Sequence, residues 1–290
     1  MNTVKREVLI SSCKPLGEST IQLRRGLNMK NYRAYGHEPY KIVMVHGGPG
    51  ALGDLGYVAD KISSSFGVIE ALQTMTTIAE LIDELIEIID SQCSVPVTLV
   101  GHSWGAWLAY LMVAERSDLV SKLVLIGSGP FESDYAKQIE STRLARLDKE
   151  QRRLLEDLTR EFYSKVTNDK DRLLAEIGSI IENADTYSPN DVDDGSYRIK
   201  IDGDMFSGVW NEAEKLRSSG VLLDMASKLN CQVLVIHGEY DPHPVAGVIE
   251  PLKNRVEDFE SVILAKCGHS PWKESFAHDK FFRTLMDAIQ

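Results

Sequence analysis

The stretch VTLVGHSWGAWLAYLMVAE, residues 97–115, decides how the rest of the chain is read. Val97–Val100 has the unbroken apolar character of a strand buried on both faces, and an apolar helical pattern follows with almost no loop between them. Gly101, His102, Ser103 and Gly105 form the junction. The pattern is G-x-S-x-G, with a strand before it and a helix after it. Such a turn is sharp and strained. Its glycines let strand and helix approach each other, and its serine hydroxyl stands at the tip, over a helix N-terminus that favours developing negative charge. Five residues with three fixed positions recur by chance. The strand-turn-helix setting is what makes Ser103 the candidate nucleophile.

A serine hydroxyl is a poor nucleophile at neutral pH and needs a base, which in turn needs an orienting acid. His269, in KCGHSPW, follows the last apolar run, where a short loop can hang it over the turn. Asp241, in HGEYDPHP, follows the run QVLVIHG, again at the carboxyl end of an expected strand. The order Ser103, Asp241, His269 suits a parallel sheet whose strand ends converge on one edge. Glu239 is the competing acid, and His243 a weaker competitor for the base. His102 abuts the nucleophile, but adjacent side chains on a tight turn point apart, which favours packing. His46 and His237 end strands before glycine and fit hydrogen bonds to loop backbone. Cys267 lacks the turn a nucleophile needs and reads as packing.

The segment VMVHGGPGALGDL follows the third expected strand. A tetrahedral intermediate places negative charge on the former carbonyl oxygen, and pre-fixed backbone N–H groups stabilise it best. Gly48 permits close approach without a Cβ, and Pro49 stiffens the turn. The expected donors are Gly48 N–H and the N–H of Trp104, the residue after the serine. No lysine follows HGGPG, as a phosphate-cradling loop would require.

Outward from these motifs, short β-rich runs alternate with helical patterns. VLISS (8–12), IQLRRGL (21–27), KIVMVHG (41–47), FGVIEAL (66–72), VPVTLVG (95–101), KLVLIGS (122–128), QVLVIHG (232–238) and SVILAKCG (261–268) read as strands. TIAELIDELIEIID (77–90) reads as a helix, with Thr77 and Glu80 in a capping-box pattern. The alternation predicts an α/β fold: a mostly parallel sheet with helices on both faces. Residues 131–230 break it. They contain no strong buried strand, and they read as helix over 134–165 and 169–183, then a polar acidic stretch, then further helix. An insertion leaving the carboxyl end of KLVLIGS starts where open parallel sheets bind ligands, so it is expected to be a lid. The predicted organisation is a core of residues 1–130 and 231–290, with a helical cap of residues 131–230.

A net charge of −11 speaks against nucleic acid and anionic membranes as partners. The longest apolar run, Ala106–Ala114, holds nine residues, half of the roughly 18 that would suggest a bilayer span. MNTVKREVLISS shows no apolar leader core, so no signal peptide is expected. The four cysteines, at 13, 93, 231 and 267, form no C-x-x-C pair. This fits inert thiols in a reducing cytoplasm and argues against a zinc site. No metal or cofactor is expected.

HGGPG, GHSWG, the Asp241 loop and the His269 loop, in that order, resemble the α/β-hydrolase superfamily over nearly the whole chain. The resemblance implies the α/β-hydrolase fold with an inserted helical cap. HGGPG in particular resembles prolyl iminopeptidases, whose cap supplies acidic side chains to the substrate's free amino group. Glu212 and Glu214 are the nearest candidates here, with Asp202 and Asp204 behind them. His102 departs from those peptidases, which commonly carry glycine before the serine; histidine there is frequent among esterases and C–C bond hydrolases. The expected function is hydrolysis of a small ester or amide through an acyl-enzyme. The alternatives are an aminopeptidase releasing an N-terminal residue from a short peptide, and a slow or non-catalytic ligand receptor. Trp104, Phe131, Trp210 and Trp272 are the expected pocket lining.

Overall fold

Apolar runs without a polar alternate need cover on both faces, and helices on either side of the sheet supply it. The computed structural model describes residues 31–164, 167, 169–192 and 195–290; the expected strands at 8–12 and 21–27, and Cys13, lie outside them. Among the described residues seven strands form the central sheet: β1 (Tyr32–Tyr35), β2 (Tyr40–Val45), β4 (Gly67–Ala71), β5 (Val97–His102), β6 (Val120–Ile126), β8 (Gln232–Gly238) and β9 (Phe259–Leu264). Their order is β1-β4-β2-β5-β6-β8-β9. β1 is antiparallel to β4; the other pairings are parallel. The helices are α1 (Gly56–Ile62), α2 (Ile78–Gln92), α3 (Trp104–Glu115), α4 (Ser133–Arg146), α5 (Lys149–Phe162), α6 (Lys170–Asp185), α7 (Gly203–Ser218), α8 (Val221–Asp224), α9 (Ala246–Lys253) and α10 (His278–Ile289).

Side chains alternate across a strand, and each face builds its own core. Val43, Val45, Leu99, Leu123, Leu125, Val233 and Val235 pack with α2, α3 and α9. Ile42, Met44, Val100, Val124, Ile126, Leu234 and Ile236 pack with α1 and α10. Parallel pairing puts the carboxyl ends of β2, β4, β5, β6, β8 and β9 at one edge of a stiff layer, which fixes what the loops there carry. β9 departs from the expected buried strand. It is the sheet edge, and Glu260, Ser261 and Ile263 are exposed there.

The segment between β6 and β8 holds α4 to α8 and the two-residue strand β7 (Lys200–Ile201). β7 pairs antiparallel with β3 (Ala51–Leu52), so this segment touches the HGGPG loop through backbone ladder bonds that sequence reading did not foresee. The long helix expected over 134–165 is two helices. Asp148 ends the continuity by capping the second, accepting from Glu150 N and Gln151 N while Gln151 bonds back to the Asp148 N–H. Leu147, Leu158, Phe162, Leu173, Ile177, Ile180 and Ala184 form a separate small core within the segment.

Candidate active site

The elbow is built by exclusion of side chains. Ser103 has φ 53° and ψ −116°, a left-handed φ for a residue with a Cβ, and it stands directly before α3. A Cβ on Gly101 would lie 2.3 Å from Gly105 O, and one on Gly105 would lie 2.2 Å from Val45 O. Only glycine at both places lets β5 turn into α3 while α3 stays against β2. The Ser103 N–H donates to Ile126 O at 2.9 Å, which anchors the turn on the neighbouring strand.

The HGGPG loop comes up beside the turn. A Cβ on Gly47 would lie 3.4 Å from Ser103 Cβ. Gly48 has φ +112°, and a Cβ there would lie 2.7 Å from Ala51 N. Gln73 ties loop to helix: its amide N–H donates to His46 O at 3.0 Å, and its oxygen accepts Trp104 Nε1–H at 2.9 Å. As the first residue of α3, Trp104 has a backbone N–H with no acceptor within the helix.

Asp241 lies in the loop after β8, its side chain fully buried. Burial alone would raise its pKa, but His269, His243 and His237 outweigh that and hold it well below the ordinary range. The ionised carboxylate accepts Nδ1–H of His269 on Oδ2 at 2.8 Å. On Oδ1 it accepts both the backbone N–H of His243 at 2.9 Å and, at 2.6 Å, Nδ1–H of the His243 ring. His237 Nε2 lies 3.4 Å from Oδ2 and donates to His243 O at 2.9 Å. One carboxylate thus serves two imidazoles, whose rings stack with centroids 4.5 Å apart and planes 29° apart. Burial alone would lower the His269 pKa; the Asp241 charge outweighs it, and the net direction is up.

His269 also touches the elbow. Its backbone carbonyl meets His102 Nε2 at 3.2 Å, and the two rings lie 4.8 Å apart. The other side of the His102 ring faces Asp54 at 3.3 Å. Burial would raise the Asp54 carboxyl, but His102 and the cations of Lys273 and Arg198 hold it well down. His102 therefore does more than pack, since it bridges the loops on either side of the nucleophile.

A cavity of about 1060 Å³ lies over Ser103 and Trp104, bounded by α4 to α7. Trp210, Glu214 and His243 line it. Trp107, Trp210 and Phe206 form a ladder of near-parallel rings along its wall. Phe131 and Trp272 lie off the wall. Phe131 is buried between Trp107 and Tyr110, and Trp272 is buried edge-on to His102. Glu212 accepts Ile78 N–H at 2.9 Å, which caps α2 from α7. Glu214 pairs with Arg217. Asp202 caps α7 through Met205 N, and Asp204 pairs with Lys170. Cys267 is buried, just past β9.

Sequence reasoning missed the place of His243. The signal was its spacing: two residues after an acid, a loop can fold a side chain and its own N–H back onto the carboxylate, as Asx turns do. Proline on both sides, in D-P-H-P, limits that loop to few shapes.

A sheet with this order, a serine elbow between β5 and α3, and acid and histidine on the loops after β8 and β9 define the class. The alpha/beta hydrolase family model matches residues 42–283. The chain belongs to the alpha/beta hydrolase family and is an enzyme of that family. No curated protein matches the sequence. Among solved structures, VinJ is 19% identical with a TM-score of 0.60, over 89% of this chain and 93% of that one. Est816, described as an N-acyl homoserine lactone degrading enzyme, is 16% identical with a TM-score of 0.58, over 88% and 95%. A proline iminopeptidase from Mycobacterium smegmatis is 18% identical with a TM-score of 0.56, over 88% and 92%. At these identities the likeness is one of fold. Among the described residues no helix is long and apolar enough to cross a membrane.

Proposed function

We propose that the protein is a serine hydrolase acting on a small ester or amide through a covalent acyl-enzyme. The observation that carries the reading is the Asp241–His269 hydrogen bond at 2.8 Å, with His269 packed against the residue preceding a left-handed Ser103. Ser103 Oγ attacks the carbonyl carbon while His269 Nε2 takes its proton. The Gly48 and Trp104 N–H groups hold the oxyanion; losing one such donor costs about 3–4 kcal/mol of transition-state stabilisation. His269 then protonates the leaving group. Water, deprotonated by the same imidazole, attacks the acyl carbon, and Ser103 departs with the acid released. Asp241 holds the tautomer and stabilises the imidazolium. No step calls on a metal or cofactor. Free thiols at Cys93, Cys231 and Cys267 suit a reducing cytoplasm.

Aminopeptidase action is the second reading, favoured by Glu214 on the cavity wall as a partner for a substrate ammonium. Arylamides of proline and alanine turning over beside inert nitrophenyl esters would move the assignment there. For the hydrolase reading itself, wild-type protein should label with a fluorophosphonate probe, and Ser103→Ala should not. A wild type that never labels would favour a ligand receptor built on this fold.

A further inference from the structure

The hydrolase mechanism uses one imidazole, yet the site holds a second on the same carboxylate. His243 donates Nδ1–H to Asp241 Oδ1 and its backbone N–H to the same oxygen, so both ring tilt and tautomer are fixed. With the proton on Nδ1, Nε2 carries a lone pair. Among the described residues none hydrogen-bonds to that nitrogen, and His243 lines the same cavity as Ser103. Its ring stacks 4.5 Å from that of His269, about the length of a three- to four-bond chain. Burial, with His269 and Arg143 adding to it against Asp241, lowers the His243 pKa to about 4, so the ring stays neutral at pH 7.

We propose, on the basis of the serine-hydrolase reading, that His243 is a specificity-determining residue: its Nε2 accepts a hydrogen bond from a substrate O–H or N–H within two bonds of the scissile carbonyl carbon on the acyl side, or within three bonds of the ester oxygen on the leaving-group side. A lone pair fixed one ring-stack from the base cannot reach far along an acyl chain, which places the donor next to the reacting carbon. Three features make it a reader of that donor. It has one acceptor atom, it has no rotational freedom, and its acceptor is not already used within the protein. The substrate class is therefore a 2-hydroxy or 2-amino acyl compound, or an ester whose leaving group carries a neighbouring hydroxyl. The apolar ladder of Trp107, Trp210 and Phe206 takes the remainder of the molecule.

The test uses ratios within each variant, so that any general damage to the triad cancels. One arm compares propanoyl, 2-hydroxypropanoyl and alanyl esters of a single nitrophenol. A second arm compares phenyl acetate with 2-hydroxyphenyl acetate. The wild type should prefer a donor-bearing member by about tenfold or more in kcat/KM in at least one arm, since a site built for a hydrogen bond discriminates against the analogue lacking it. His243→Asn keeps a donor for Asp241 and removes the distal acceptor; His243→Phe removes both. In both, the preference should fall to within about twofold of unity. A preference that survives either substitution, or a wild type with none in either arm, overturns the proposal. Failure of the plain esters to turn over, with no labelling of Ser103, would instead overturn the hydrolase reading beneath it.

Discussion

The carboxylate of Glu274 accepts the backbone N–H of Gly268 at 2.7 Å, one residue before the candidate base. The same buried carboxylate accepts Tyr187 N–H at 2.7 Å and Ser188 N–H at 2.8 Å, on the segment leaving α6. His269 N–H donates to Asp185 O at 3.0 Å, and the Asp185 carboxylate is held by Arg143 of α4 at 2.8 and 2.6 Å. The loop that carries the imidazole is therefore gripped from the inserted helices as well as from the sheet.

Glu274→Gln tests that grip. The amide oxygen can still accept Tyr187 and Gly268, but its NH₂ then faces the Ser188 N–H. Losing a charged acceptor for a buried donor costs about 1.5–3 kcal/mol. Chemical denaturation should show a loss of that order. Steady-state kinetics on a nitrophenyl ester should show kcat falling more than KM rises, because the base and not the pocket is displaced. Lost stability with an unchanged kcat would mean the loop keeps its place without the carboxylate.

The histidine cluster fixes the pH dependence. His269 has a folded-state pKa raised above its unfolded value of about 6.5. Its contribution to stability is thus fully present below about pH 6.5 and is lost as pH rises through the raised value. The nucleophile needs the neutral ring, so activity should appear over the same window in which this stabilisation fades. The kcat/KM profile should show an acid limb above the range of a free imidazole. Asp241→Asn removes the charge responsible, so the limb should move down and turnover should fall by up to about 10⁴. Asp241 is depressed in the fold. Its own contribution is present above the ordinary aspartate range and is lost as pH falls through the depressed value. A limb that stays in place in Asp241→Asn would assign it to another group.

Most of the sheet was legible because β2, β4, β5, β6 and β8 are buried on both faces, and that signal needs no partner to be seen; the edge strand β1 lacks it and was not foreseen. The elbow was legible because its chemistry is local: glycine, serine and glycine within five residues. The candidate acid and base could be named because both follow a strand directly. What escaped was relational. β7 is two residues long and exists only because β3 is there to pair with. Glu212 read as a candidate partner for a substrate amino group, whereas its capping of α2 depends on where α7 packs. Phe131 and Trp272 are as aromatic as Trp210, and only packing decides which of them meets the cavity. His243 was weighed as a rival base, whereas its importance lies in the carboxylate it shares.

Gly105→Ala probes the close contact on which the elbow depends. The new Cβ would sit 2.2 Å from Val45 O and 2.4 Å from His46 O, backbone atoms at the end of β2 that have no rotamer to yield. α3 must move off the sheet, or β2 must bend. Overpacking of this kind costs about 1–3 kcal/mol, and more where backbone resists. The damage should reach catalysis as well, because His46 leads directly into Gly47 and Gly48, and a shifted strand end misplaces the proposed oxyanion donors. Gly178→Ala in α6 is the control, since a Cβ there meets nothing within 4 Å. That change should stabilise by about 0.5–1 kcal/mol through helix propensity alone and leave turnover intact. Thermal melts and nitrophenyl ester kinetics on the pair separate the two effects: Gly105→Ala should lose both stability and kcat. Retention of both would mean that α3 and β2 do not depend on their close approach.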